Sequence, residues 1–156
     1  MAKRENMAWD LYVTLSAREE AGMASGCSAA AYRIRPDAAI VTDVTFASAP
    51  GVGEDESGKM GSGPVLSLSA VTNRRLTEWL LQLCRQRGIP CQTCVDACDT
   101  GTNATMLSLV GAGIPTAVVS VPITSMHTYN ETVDTVDIEH AAALYAAATQ
   151  EGGLLL

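Results

Sequence analysis

The feature that most constrains this fold is the continuous apolar run at residues 115–121, Pro-Thr-Ala-Val-Val-Ser-Val. A strand without polar alternation is buried on both faces, as happens where helices cover both sides of a sheet. Strand-like and helix-like segments alternate along the rest of the chain. This alternation predicts a three-layer α/β/α fold with a largely parallel or mixed sheet. Further strands are predicted at 9–16, 38–44, 65–69 and 91–95.

The clearest helix is the segment that Gly88 ends and that Thr72 is expected to cap. Its apolar residues recur at helical spacing, as expected for a helix packed on a sheet. Asp137 is expected to cap the final, alanine-rich helix. The predicted helices span 26–32, 72–88, 101–110 and 137–149.

Size and composition limit the possible function classes. The 156 residues are 47% hydrophobic, which predicts one compact domain over 1–156, with a frayed end at 152–156. The net charge of −7 argues against nucleic acid as a partner. No apolar run approaches the roughly 20 residues of a membrane span, and residues 1–6 lack the apolar segment of a signal peptide. A cytoplasmic location is therefore expected.

The chain contains five cysteines, an odd number without export features, which favours reduced thiols. Cys91-x-x-Cys94 resembles a zinc or redox motif, with Cys98 beyond it. On a strand, however, positions three apart face opposite sides, so both sulfurs cannot easily reach one metal ion. Ordinary core and loop cysteines are the favoured interpretation.

Four residues with chemically useful side chains follow or end predicted strands. Glu19 and Glu20 are adjacent carboxylates at a strand end, so the backbone must turn if both serve one site. Asp43 ends an apolar strand and is either a ligand or a solvated strand end. His127 lies on a loop and is either a ligand or a surface residue. Such a set suits zinc, manganese or cobalt.

Five segments occur in an order and spacing that resemble a known family. They are Glu19-Glu20-Ala-Gly22, residues 39–45, residues 59–64, Gly101-Thr-Asn-Ala104 and Pro122-x4-His127-Thr128-x2-Glu131. Their succession resembles the C-terminal part of the catalytic domain of dinuclear metallo-aminopeptidases of the tetrahedral, glutamyl-aminopeptidase type. Some members of that family carry an endoglucanase label.

The resemblance implies a role for each candidate. Glu19 would be the general base toward the metal-bridging water, and Glu20, Asp43 and His127 would be ligands of a divalent transition metal. The reaction implied is removal of the N-terminal residue from a peptide. The family's upstream histidine has no counterpart here, because His127 and His140 are the only histidines. Its bridging aspartate has none either, because the carboxylates before Glu19, Glu5 and Asp10, lie in no matching motif. A metal site at partial occupancy or none, and a complementing chain or homo-oligomer, are therefore expected.

Two other functions are weighed against a metallo-aminopeptidase. The first is a non-catalytic relative that keeps the fold and acts through assembly, since missing strands would leave a sheet edge uncovered. The second is a glycosidase that uses Glu19 with another carboxylate about 5–10 Å away. The low aromatic content, 4%, leaves few residues for a sugar-stacking cleft and disfavours the glycosidase.

Overall fold

A computed structural model describes residues 7–23 and 25–154 of the chain. Residues 1–6, whose composition bears on the expected location, lie outside the described residues. The predicted frayed end is described only as far as Leu154, which packs against the core, and 155–156 lie outside.

The described residues form one mixed sheet flanked by helices, in the order β1-β4-β2-β3 with β5 paired to β4. β1 is parallel to β4, β2 is antiparallel to β4, and β3 is parallel to β2. The strands are β1 Ala39–Phe46, β2 Val65–Ser69, β3 Gln92–Asp96, β4 Thr116–Thr124 and β5 Thr132–Val133. The helices are α1 Ser25–Ile34, α2 Arg74–Arg87, α3 Asn103–Leu107 and α4 Thr135–Gln150.

β4 is the buried centre predicted from its apolar run, and it separates two packed layers. Val119 joins the leucines of α2 and α4 on one face of the sheet. Val118 points the other way and packs with α1 and α3. Successive strand residues face opposite sides, so one apolar strand serves both cores. The three-layer α/β/α prediction is confirmed.

Three details differ from the sequence predictions. β1 was expected to be buried, yet among the described strands it pairs only with β4, and alternate side chains are exposed. α3 ends at Leu107 rather than near 110. The cap of α2 is Asn73, whose side chain accepts the Leu76 N–H at 3.0 Å, while the Thr72 hydroxyl bonds the Ser69 carbonyl.

Asp137 is not the cap of α4. That role belongs to Asp134, whose carboxylate accepts the Val136 N–H at 3.0 Å. Asp137 is fully buried and accepts the N–H groups of Gly61 and Gly63, each at 2.7 Å. The carboxylate therefore fixes the end of the 47–63 loop against α4.

The strand predicted at 9–16 does not form in the described structure. Residues 10–16 have no strand pairing, and Leu11, Val13 and Leu15 are 56%, 78% and 96% exposed. The sequence has the composition of a strand, but a strand needs a hydrogen-bonding neighbour. The segment therefore presents apolar side chains to solvent.

Among the described residues, no helix is long and apolar enough to cross a membrane.

Candidate functional site

The two adjacent glutamates lie at a sharp change of backbone direction, as predicted. Arg18 has a φ of 67°, a conformation few residues other than glycine adopt, and a short π-helix, Glu19–Met23, follows. Gly26 allows the chain to pack closely at this corner, because a Cβ at this position would lie 2.5 Å from the Ala17 carbonyl oxygen. The chain thus brings Glu19 and Glu20 to the start of α1.

Asp43 was predicted to end its strand, but it lies inside β1, which continues to Phe46, and it pairs with Ser120 of β4. One carboxylate oxygen accepts the Val44 N–H at 2.8 Å, and the residue is half-buried. Because β1 and β4 are parallel, the loop that follows β4 leaves the sheet at the same edge as Asp43. The strand pairing therefore explains why Asp43 and the His127 loop are neighbours.

His127 is held in a strained turn after β4. Ser125 and His127 have φ values of 59° and 60°, which side chains with a Cβ rarely adopt. The Thr128 hydroxyl donates to the Ser125 carbonyl at 2.6 Å, and the His127 N–H donates to the Glu131 carboxylate at 2.7 Å. Strain of this kind persists only where neighbouring contacts enforce it, and it clusters at functional sites.

Electrostatic interactions connect the four predicted residues. The pKa of Glu19 is raised by burial first, then by the charges of Asp43 and Glu20, while His127 opposes the shift. Burial also raises the pKa of Asp43; Glu20 adds to the shift, and the Val44 N–H and His127 oppose it. Glu19, Glu20, Asp43 and His127 therefore lie near enough for their charges to act on one another.

The donor types at this end suit a divalent transition metal, since carboxylate and imidazole are its usual ligands. The set of ligands is nevertheless incomplete. Among the described residues, no three His, Cys, Asp or Glu side chains lie close enough together to hold a metal ion.

A groove of about 510 Å³ extends from Asp43 to Glu131. Glu131 belongs to the last of the five sequence motifs, and no role was predicted for it. In the structure Glu131 both holds the His127 backbone and lines this groove. The short spacing between His127 and Glu131 was the feature of the sequence from which this contact could have been predicted. The remaining lining residues are Thr42, Val44, Val121, Ile123, Thr132, Val133 and Ile138.

A second contact that sequence reasoning missed supports the glutamate corner from α3. The Asn103 side-chain amide donates to the Ser16 hydroxyl at 3.2 Å. The other amide atom, the Oδ1 of Asn103, is buried without a hydrogen-bond partner. Asn103 thus anchors the segment that leads into Glu19. One of its own polar atoms, Oδ1, remains without a hydrogen-bond partner among the described residues.

The fold and the site together define a class: a three-layer α/β domain with its candidate site where parallel strands β1 and β4 end. Residues 1–144 match the family described as M42 glutamyl aminopeptidase. This chain belongs to the M42 family.

Individual relatives agree with this assignment. The chain is 32% identical over 146 residues to the lysyl aminopeptidase of Pyrococcus furiosus, a match that covers 91% of this chain and 41% of the relative. Aminopeptidase APDkam598 of Desulfurococcus kamchatkensis superposes with a TM-score of 0.80 at 30% identity, over 88% of this chain and 40% of the other.

A third relative is described by its assembly. The TET1 peptidase of Pyrococcus horikoshii, described as able to assemble into a tetrahedron or a large octahedral shell, has a TM-score of 0.65 at 27% identity. That match covers 81% of this chain and 37% of the peptidase. The chain therefore spans about two fifths of the length of the relatives it matches.

Proposed function

We propose that this chain is the part of a metal-dependent aminopeptidase that carries the general base and three metal ligands. The observation that carries the proposal is that the charges of Glu19, Glu20, Asp43 and His127 act on one another in a chain of the M42 family. The reaction would be removal of N-terminal residues from peptides.

Each residue has a role that its surroundings favour. Glu20, Asp43 and His127 would hold a divalent transition metal, which would act as a Lewis acid on the scissile carbonyl. Glu19 would accept the proton of the attacking water, because partial burial and neighbouring carboxylates raise its pKa and so increase its basicity. Glu131 would keep the His127 loop in its strained conformation through the 2.7 Å hydrogen bond.

The remaining ligands would come from residues that this sequence does not contain, on the same polypeptide or another. Two observations support this. His127 is the histidine whose charge acts on Glu19 and Asp43, and the exposed apolar side chains of 11–15 offer a surface for further chain. Catalysis by these 156 residues alone is therefore not expected.

Metal titration of the chelator-treated protein tests the site. Zinc, cobalt and manganese are titrated by calorimetry into the wild type and into Glu20→Ala and His127→Ala. Each substitution removes a proposed ligand and should weaken binding at least about tenfold. Glu139→Ala and His140→Ala, which change the same residue types on α4, are the matched controls. Equal affinity in all five proteins would contradict the site assignment.

A peptidase assay tests the reaction. The substrates are short peptides with a free amino terminus, and the same peptides acetylated at that terminus are the control. Adding the uncovered part of the Pyrococcus furiosus relative should produce activity toward the free peptides alone. Glu19→Gln should abolish that activity while leaving metal binding in place, since a glutamine amide cannot accept the proton.

The alternative is a non-catalytic homologue that acts through assembly. The incomplete ligand set and the exposed apolar segment favour it, and a related peptidase is described as forming closed shells. Self-association into a homo-oligomer would be visible as a solution mass of several chains by light scattering. An oligomer that binds no metal and gains no activity from the added relative would favour this alternative.

A further inference from the structure

The 10–16 segment, Asp-Leu-Tyr-Val-Thr-Leu-Ser, leads into the glutamate corner and pairs with none of the described strands. It contains no turn or bend. Within residues 7–23 and 25–154, none of its backbone groups forms a hydrogen bond with another backbone group. The segment therefore presents free N–H and C=O groups, which can pair with a strand of another molecule.

Both ends of the segment are held against the folded domain. Just before it, the Trp9 indole N–H donates to the Glu151 carbonyl at 2.7 Å. At its other end, the Asn103 amide donates to the Ser16 hydroxyl at 3.2 Å. Two anchored ends restrict the backbone between them, so less conformational entropy is lost when the segment pairs with a strand.

Alternate residues of the segment form an exposed apolar stripe. Leu11, Val13 and Leu15 are 56%, 78% and 96% exposed. In an extended chain, residues two apart lie on the same face, so a partner strand would cover all three together. Removing this apolar surface from water is favourable. The stripe and the free backbone groups together indicate an interaction surface.

The order of the residues identifies the partner, because the stripe is symmetric about Val13. When two copies pair antiparallel with their Val13 residues opposite each other, Leu11 of each copy lies opposite Leu15 of the other. Asp10, the one charged residue of the segment, lies opposite Ser16, so no like charges oppose each other. A shift of one residue would set the apolar residues opposite polar ones, so the pattern specifies the register.

We propose that the 10–16 segment forms a homodimer with the same segment of a second copy of this chain, through antiparallel strands centred on Val13. Each copy uses the same surface, so the contact has twofold symmetry and closes on itself. The inference rests on the self-association considered under the proposed function, and it gives that assembly a surface.

The dimer does not complete the candidate metal site. Arg18 lies five residues after Val13, and the two strands run in opposite directions. At about 3.3 Å per residue, the two glutamate corners would lie roughly 30 Å apart. Each site therefore keeps the ligands of its own chain, and dimerisation is tested separately from metal binding.

Solution mass and a charge substitution test the interface. Light scattering over a concentration series should give a wild-type mass that approaches twice the 16.3 kDa of one chain. Val13→Lys places two positive charges opposite each other and removes two valines from the stripe, so the dissociation constant should rise at least about tenfold. Mixing Val13→Lys with Val13→Glu should restore a dimer with one copy of each.

Val95→Lys is the matched control. It adds the same charge at a valine that is 52% exposed on β3, and it should leave the dimer intact. Metal titration of Val13→Lys gives an independent measurement, because Val13 lies outside the candidate site. Wild-type metal affinity together with loss of the dimer would separate this interface from the metal site.

A disulfide across the twofold axis tests the register. Opposed residues of antiparallel strands have Cα atoms about 4.5–5.5 Å apart, a distance that a disulfide can span. In a Cys98→Ser background, which removes the exposed cysteine, Val13→Cys should form a disulfide-linked dimer on mild oxidation with diamide. Leu11→Cys should link to Leu15→Cys when the two variants are mixed, and far less to itself.

Three results would overturn the proposal. The first is a wild-type mass of one chain at every concentration. The second is an oligomer that Val13→Lys leaves intact, which would place self-association on another surface. The third is a Val13→Cys protein that forms no linked dimer, and this result needs no added charge.

Discussion

The carboxylate of Asp137 accepts the backbone N–H of Gly63 at 2.7 Å, and both residues are buried. The residue lies in the first turn of α4, and its partner ends a loop more than seventy positions earlier. A buried carboxylate is tolerated only when donors satisfy it, and here two backbone N–H groups do so.

Asp137→Ala should lower the free energy of unfolding by about 3 kcal/mol, because two N–H groups would lose a charged acceptor. Asp134→Ala removes only the helix cap and should cost about 1 kcal/mol. Urea unfolding of both variants measures the difference. If Asp134→Ala were the more costly change, Asp137 would not be the residue that anchors the loop.

Asp43→Asn should stabilise the metal-free protein near neutral pH. The folded state raises the pKa of Asp43, so it binds a proton more tightly than the unfolded state does. Stability is therefore lost as pH rises from the unfolded-state pKa through the folded-state pKa. Asparagine carries no charge, so the variant avoids this loss of stability.

Thermal unfolding in the presence of a metal chelator tests whether Asp43→Asn stabilises the protein. The variant should melt higher than wild type at about pH 7, and the difference in melting temperature should narrow as the pH falls toward about 4, the pKa of an ordinary aspartate. Asp37→Asn, an exposed aspartate before β1, is the matched control. A lower melting temperature at neutral pH would mean that Asp43 stabilises the fold as a charged group.

Local sequence patterns predicted most of the fold. β4 was predicted because an uninterrupted apolar run is typical of a strand buried on both faces. α2 was predicted because its leucines repeat at helical spacing. The caps were misassigned by one to three residues, since several residues at each helix start have side chains able to cap. The strand at 9–16 failed because pairing depends on a neighbour that local sequence does not specify.

The sequence predicted where the candidate site lies relative to the strands, but not the contacts within it. Strand order along the chain suggested that Glu19, Asp43 and His127 converge, and the parallel pairing of β1 with β4 explains why Asp43 and His127 do. The strained φ of His127 and its bond to Glu131 could not be read from spacing. Neither could the contact of Asn103 with Ser16, because it joins residues far apart in sequence.

Gly26→Ala should destabilise the protein although alanine is the better helix former. Alanine in a helix gains about 1 kcal/mol over glycine. At this position its Cβ would meet the Ala17 carbonyl oxygen at 2.5 Å, a collision that backbone cannot relieve without moving the glutamate corner. We expect a net loss of about 1–2 kcal/mol.

Two measurements distinguish displacement of the corner from a general loss of stability after Gly26→Ala. Metal titration should show weaker binding than wild type at a temperature where both proteins are folded. Gly152→Ala, whose Cβ would lie 3.8 Å from its nearest neighbour, is the control and should change neither quantity. A Gly26→Ala protein more stable than wild type would show that the close approach to Ala17 is not enforced.

The Cys91 thiol should react with iodoacetamide well below the pH at which an ordinary cysteine does. Its pKa is lowered from 9.0 to about 7 by the hydrogen bond from Cys84 and by Arg85, so the thiolate fraction reaches one half near neutral pH. Alkylation rates are measured across about pH 5–10 by mass spectrometry of tryptic peptide 88–156, which begins after Arg87 and contains Cys91. Exposed Cys98, on the same peptide, is first replaced by serine. Cys84→Ser, whose hydroxyl still donates, should retain most of the shift, whereas Cys84→Ala should move the midpoint upward. A midpoint unchanged in Cys84→Ala would mean that the contact between the two thiols does not control the reactivity of Cys91.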